Sequence, residues 1–338
     1  MNAVWKDKDI NISTSIPIEY GIEYYSEDSV FSGVAVPKPG TNYASIRISD
    51  FAKNMVNSTG DINRLLTEQN DEYNILENYC REIVISAPIP NGKTILYADY
   101  FYNSYDYNNP TNFETDNIYI LSNRIGKVTN NGNNLFTLFN TYETEMVVML
   151  AEENEQGARS VVFPNIRIPA MSAVVCSVRD LEVGVNYVFY DNNNNEIYRY
   201  KVSESCNRYN LHYQNAMGGY DTISIDGRKD KRTDNLTFDY YKARGNNQDI
   251  NQPQMNKYKV DITPQWELQT GWINDNESKK MYNIFSSQNM WLEDTETGVI
   301  YPVYITNNNV VYKTFTNQGR KKYNYTFSIT SSNTLVKL

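Results

Sequence analysis

His212 is the only histidine in the chain, so any Ser-His-Asp triad, imidazole-bound zinc or Cys-His pair would have to be built on it. It lies in Asn210 to Tyr213, a run that reads as a strand, where a histidine beside aromatic residues is expected to serve packing. Glycoside hydrolysis needs only two carboxylates, and the 40 Asp and Glu residues could supply them. No local pattern singles out a pair. The chain contains no GxxxxGK[ST] phosphate loop and no GxGxxG after a strand, and Gly218-Gly219 lacks the spacing and the acidic partner of those motifs. Cys80, Cys176 and Cys206 are odd in number, far apart and without CxxC spacing, which points to buried reduced thiols. Asp191-Asn192-Asn193-Asn194-Asn195 offers oxygen ligands for calcium, but only Asp191 and the following Glu196 carry charge. A hairpin turn is the simpler reading. These residues imply no catalytic site, no cofactor and no metal.

The elements that would position such residues are strands. The 29 Tyr against 12 Phe favour strands and half-wet surfaces, where the ring packs and the hydroxyl stays solvated. With 338 residues, 40% of them hydrophobic, the chain can bury two or three cores. A net charge of -9 and a pI near 4.9 argue against nucleic-acid binding over the whole surface. The basic stretch Arg228-Lys229-Asp230-Lys231-Arg232, interrupted by Asp226, Asp230 and Asp234, reads as a solvated hairpin tip. A second lies at Arg320-Lys321-Lys322. No run of about 18 apolar residues is present to span a bilayer, and no charged-then-apolar start reads as a signal peptide. Synthesis in a cytoplasm and no membrane segment are expected.

The pattern predicts a mainly β chain in three parts. Residues 1–102 form an N-terminal β domain with short helices: a three-stranded antiparallel unit from Ile16–Tyr25, Val30–Val36 and Tyr43–Ile48, then helices capped by Ser49 or Asp50 and by Asp61. Strands follow at Glu82–Ala87 and Thr94–Tyr102, and Asn103 to Pro110 reads as an exposed loop. Residues 103–205 form a β-sandwich-like domain, because short strands recur about every ten residues between Asn117 and Tyr200. Residues 206–338 form a C-terminal β domain with one flanking amphipathic helix at about 274–286. There Asn274 and Glu277 make a capping box, and Met281, Ile284 and Phe285 lie on one face. Trp266 and Trp272 are expected as core or interface anchors.

The series Tyr209-x-Leu211-x-Tyr213-x-Asn215-x3-Gly219-Tyr220-Asp221, followed by Tyr258-x-Val260-x-Ile262-x3-Trp266-x4-Thr270-Gly271-Trp272, resembles a block in structural proteins of crAss-like and related phages infecting Bacteroidales. Tyr301–Thr306, Tyr312-Lys313-Thr314, Asn317-x-Gly319-Arg320-Lys321 and Tyr325-Thr326 continue it in the same order. The likeness covers about the last 130 residues, and members commonly carry Trp where Tyr220 stands. It implies a virion protein of a short tail: a ring or hub subunit near the portal that extends the DNA exit channel, made in the host cytoplasm. Its partners would be further copies of itself, neighbouring tail and portal proteins, and DNA in passing. No catalytic residues come with the block. Asn215, Gly218, Gly219, Tyr220, Asp221, Trp266, Gly271, Trp272, Gly319 and Arg320 are its candidate structural and assembly residues. Two other functions remain open from the residues alone. One is a receptor-binding fibre or glycan-binding adhesin using Tyr- and Asn-rich loops, and the other is a capsule-degrading hydrolase.

Overall fold

The structure, a computed structural model, describes residues 2–3, 9–14, 16–24, 27–48, 51–52, 56, 61–67, 73–90, 92–103, 113–122, 124–205, 208–227, 229–241, 255–271, 273–306, 326–331 and 335–337. It is mainly β, as the pattern predicts. Contacts gather the chain into two units: Met1–Asn123 with Val128–Glu204 and Gln214–Asp221, and Arg124–Lys127 with Ser205–Tyr213 and Thr222–Leu338.

The first unit holds two layered assemblies. In one, β1 (Asn2–Ala3), β3 (Ile18–Tyr24), β4 (Glu27–Ala35), β7 (Cys80–Ile89) and β8 (Gly92–Tyr102) form a sheet in the order β1-β8-β7-β3-β4. A two-stranded sheet of β2 (Asp9–Ser13) and β5 (Tyr43–Arg47) shares its core. The expected three-stranded unit is therefore corrected. Tyr43–Arg47 leaves its neighbours to pair with β2, in the register Ile10↔Ile46 and Ile12↔Ala44. The reason is the period-two burial of β2, which turns Ile10 and Ile12 inward against Ile22, Ile83 and Ile85. The helix expected after Ser49 or Asp50 falls largely outside the described residues. The next one, α1 (Ile62–Thr67), forms as expected: the Asp61 carboxylate accepts from the Arg64 amide at 2.9 Å, and Ile62, Leu65 and Leu66 are buried.

The second assembly is a β-sandwich. One sheet runs β6 (Tyr73–Leu76), β13 (Ala173–Val178), β10 (Asn134–Asn140), β9 (Ile118–Ile120). The other runs β12 (Arg159–Ile168), β11 (Met146–Glu153), β14 (Asn186–Asp191), β15 (Glu196–Lys201). Phe136 and Leu138 from the first sheet meet Val148, Leu150, Ile166 and Phe189 from the second. Phe136 stacks on Tyr200 with centroids 4.9 Å apart. The strand Asn134–Asn140 is absent from the sequence reading. All seven of its residues are buried, so it shows no alternation, and its polar members look like loop. They are satisfied internally: Asn140 Nδ2 donates to the carbonyls of Thr144, Ile168 and Pro169 at 2.9, 3.1 and 3.0 Å.

The second unit is an eight-stranded sheet. Its path is β17 (Tyr220–Ser224), β16 (Tyr209–Gln214), β20 (Met290–Asp294), β21 (Val299–Ile305), β22 (Thr326–Ser331), β19 (Met255–Gln269), β18 (Lys229–Tyr241), with β23 (Leu335–Lys337) on β19. The expected flanking helix is present as α2 (Asp275–Lys280) and α3 (Tyr282–Phe285), and the Asn274–Glu277 capping box closes its start. Met281 and Ile284 are fully buried against Leu211, Tyr213 and Leu268. Lys229 to Arg232 make no hairpin tip. They begin β18, paired from Lys229↔Leu268 to Arg232↔Gln265. Cross-strand contacts absorb their charge: the Lys231 ammonium lies 5.6 Å over the Trp266 ring and 5.5 Å over Tyr301, and Arg232 bridges Glu267 at 3.0 Å.

Because Phe136 is 0% exposed between the two sandwich sheets, Phe136→Ala should cost about 3–5 kcal/mol. Urea unfolding should show a lower midpoint at unchanged slope.

Candidate functional site

Residues 215–221 form a turn whose polar groups are satisfied within the first unit. The Asn215 amide donates to Oδ2 of Asp221 at 2.8 Å and to the Leu121 carbonyl at 2.9 Å. Its Oδ1 accepts from the amides of Met217 at 2.9 Å and Gly219 at 3.2 Å. Across the turn the Asn215 amide N–H donates to the Gly219 carbonyl at 2.8 Å, and the Gly218 N–H to the Asn215 carbonyl at 2.9 Å. The other oxygen of Asp221 accepts from the Ser122 hydroxyl at 2.6 Å. Thr137, in the middle of β10, accepts from the Tyr220 amide at 2.8 Å, and the Tyr79 hydroxyl donates to the Met217 carbonyl at 2.8 Å. Burial pushes the Tyr79 phenol well above its ordinary range, which keeps that donor protonated.

The two glycines are set by contact as much as by conformation. Gly218 has φ +79°, and a Cβ there would lie 2.1 Å from the Asn103 carbonyl oxygen; at Gly219 it would lie 2.7 Å from that of Leu121. Thus Asn215, Gly218, Gly219, Tyr220 and Asp221 are brought together, all of them buried. Their partners Tyr79, Asn103, Leu121, Ser122 and Thr137 carry no local sequence signal, because they come from distant strands and loops.

A second polar cluster lies in the second unit. The His212 ring nitrogens meet Thr222 Oγ1 at 2.9 Å and Glu293 Oε2 at 3.2 Å. Asn210 reaches the same Glu293 oxygen at 3.3 Å and accepts from the Ser224 hydroxyl at 3.0 Å. A ring proton on Nε2 would point at Glu293, and Nδ1 shares the second hydrogen bond with the Thr222 hydroxyl. Hydroxyl, imidazole and carboxylate in line is the order that activates a nucleophile. Here Thr222 is 1% exposed, His212 0% and Glu293 4%, so the hydroxyl is closed to substrate. The cluster joins β16, β17 and β20, and His212 sits in a strand as expected.

Trp266 lies in the same core, 1% exposed, with its ring 5.0 Å from that of Tyr301. Gly271 has φ +75°, and a Cβ there would stand 3.1 Å from that of Asp226. Trp272, Gly319 and Arg320 lie outside the described residues, as do Cys206 and most of the Asn103–Pro110 loop.

Charged groups also gather on the sandwich. Arg199 pairs with Glu153 and, at 2.7 Å, with Glu196, while Arg159 approaches the same two carboxylates at 3.4 and 3.8 Å. Hydrogen bonds from Arg199 hold both carboxyls below the usual glutamate range and raise the guanidinium in turn. Next to it an open cleft of about 710 Å³ lies between 152–160 and 182–186. Another, of about 580 Å³, lies beside Cys80 and Tyr100. Among the described residues no group of three His, Cys, Asp or Glu could hold a metal ion. The Asp191 carboxylate instead closes its hairpin, accepting from the amides of Asn193 at 2.9 Å and Asn195 at 2.8 Å. No helix of the described residues is long and apolar enough to cross a membrane. Neither a protein-family model nor a curated protein matches the chain.

Gly218→Ala should destabilise by about 2–4 kcal/mol, combining left-handed strain with overpacking. Gly157→Ala, also at positive φ but with nothing within 4 Å of its Cβ, should cost only about 1–2 kcal/mol; equal losses in thermal unfolding would refute the contact argument. For Glu153 and Glu196 the folded pKa values are depressed. Their contribution is complete above the ordinary value of about 4.3 and is lost as pH falls through the lowered folded values. Arg199→Gln should move both carboxyl titrations upward in 13C NMR and flatten the acid limb of the stability profile.

Proposed function

We propose that the chain is a virion structural protein, a subunit of an oligomeric tail ring or hub that extends the DNA exit channel and carries neighbouring tail proteins. What supports this reading is the resemblance of the Tyr209–Asp221 and Tyr258–Trp272 series to a block in structural proteins of crAss-like and related phages, together with the use this chain makes of those residues. Its turn residues spend their polar groups on backbone, and Trp266 is committed to a core. Residues used in this way mark a framework, which suits a subunit whose work is to hold shape. The role is non-enzymatic, and the Thr222–His212–Glu293 line serves packing.

Closed rings need heterologous interfaces, which β proteins can build by adding strands edge to edge. Among the described residues β18 is an edge of the large sheet and β12 an edge of the sandwich, where Val161 and Val162 are 49% and 47% exposed. The net charge of -9 suits a channel wall that repels DNA and lets it slide.

Native mass spectrometry of the purified chain should give one closed stoichiometry, and virion cryo-EM should place it in the tail. Density for the chain on the capsid lattice, or on a fibre alone, would sink the proposal.

A further inference from the structure

The cleft of about 580 Å³ in the first unit has the size of a small-molecule site. Its floor is the β7–β8 hairpin, where Glu82 and Tyr100 are directly opposed and Cys80 is two residues away. Its other wall is made of two sandwich loops, through Glu143 and Ser172. These loops are tied together by the Met171 amide donating to the Tyr142 carbonyl at 3.2 Å. Asn78 and Met171, on opposite walls, both hold left-handed backbone, at φ +57° and +49°. Such conformations cost energy in residues other than glycine and concentrate where a loop must present a ligand surface.

The chemistry of the lining selects the ligand class. Arg81 is a pure donor that also holds the Asn78 side-chain oxygen, and Glu82 and Glu143 are pure acceptors. The Ser172 hydroxyl donates to the Ala170 carbonyl at 3.0 Å and keeps its acceptor capacity, while the Asn78 amide offers donors and the Tyr100 hydroxyl both roles. Two carboxylates against one guanidinium disfavour an anion. Among the described residues Ala170 and Met171 are the only aliphatic members of the lining, too few for an apolar ligand. Burial pushes the Cys80 thiol up to about 12, so the cleft presents no thiolate for covalent chemistry. What matches a donor, acceptors and dual groups beside one aromatic ring is a ligand whose every hydroxyl donates and accepts at once.

We propose that this cleft binds a neutral mono- or disaccharide through Arg81, Glu82, Glu143 and Ser172, with Tyr100 supplying an aromatic surface. The site is independent of the tail assignment, since a ring subunit and a free adhesin could each carry it.

Saturation-transfer NMR on the full chain, with maltose, lactose, cellobiose and N,N′-diacetylchitobiose as probes and spermidine as a cationic control, tests it. At least one sugar should show transfer and spermidine none. Tyr100→Ala and Glu143→Gln should each weaken that sugar about tenfold, the effect of one lost aromatic or charged contact. Glu143 is exposed on a loop, so Glu143→Gln should keep the parent unfolding midpoint and separates lost binding from lost folding. Transfer from no sugar, transfer from spermidine alone, or sugar binding unchanged in both variants would overturn the assignment.

Discussion

The approach of two backbones at Gly218 governs much of the first unit. A Cβ on that residue would stand 2.1 Å from the Asn103 carbonyl oxygen, a distance no side chain can occupy, so the turn seats only when position 218 is bare. Once seated, it lies within reach of Leu121, Ser122 and Thr137, and a single amide, that of Asn215, holds both the turn and the Leu121 carbonyl. Thr137 belongs to β10, the most deeply buried strand of the sandwich, so the turn and the sandwich core determine each other's geometry.

Asn215, Asp221, Asn140, Asn210, His212 and Glu293 are all almost inaccessible, and each would be costly if unpaired. Their hydrogen bonds return only a modest net stability. Their larger effect is on choice of arrangement, since a slipped strand would leave several of them without partners at once. The same burial encloses a hydroxyl, imidazole and carboxylate that stand in catalytic order, whereas catalysis needs those hydrogen bonds plus an approach for substrate.

The contrast between framework and surface runs through the whole chain. Many described residues of the phage-like block are interior, among them Tyr209, Leu211, Tyr213, Asn215, Tyr220, Asp221 and Trp266, whereas Tyr304 is 51% exposed. Surfaces open to other molecules lie on the edges β18 and β12 and in the cleft beside Tyr100.

Much of this was legible in the sequence wherever one residue's neighbours in space are also its neighbours in the chain. The Asn274–Glu277 capping box, the Asp61 cap, the Asp191 hairpin and the alternating strands of the sandwich depend on contacts a few residues apart, and sequence spacing encodes them directly. Asn134–Asn140 was illegible because burial on both faces erases the period of two that marks a strand. The basic run at 229–232 misled for a related reason: Lys231 lies over Trp266 on the partner strand β19 and over Tyr301 on β21, and Arg232 pairs with Glu267 on β19, none of which local composition contains. The glycine pair announced a close approach, but not to what. The sequence by itself determined a mainly β chain, its caps, its turns and the residues of the Asn215 to Asp221 turn. Tertiary structure decided that β5 pairs with β2, that His212 is sealed between Thr222 and Glu293, and that Asn103 and Leu121 close over the glycines, because each of these rests on contacts between segments tens of residues apart.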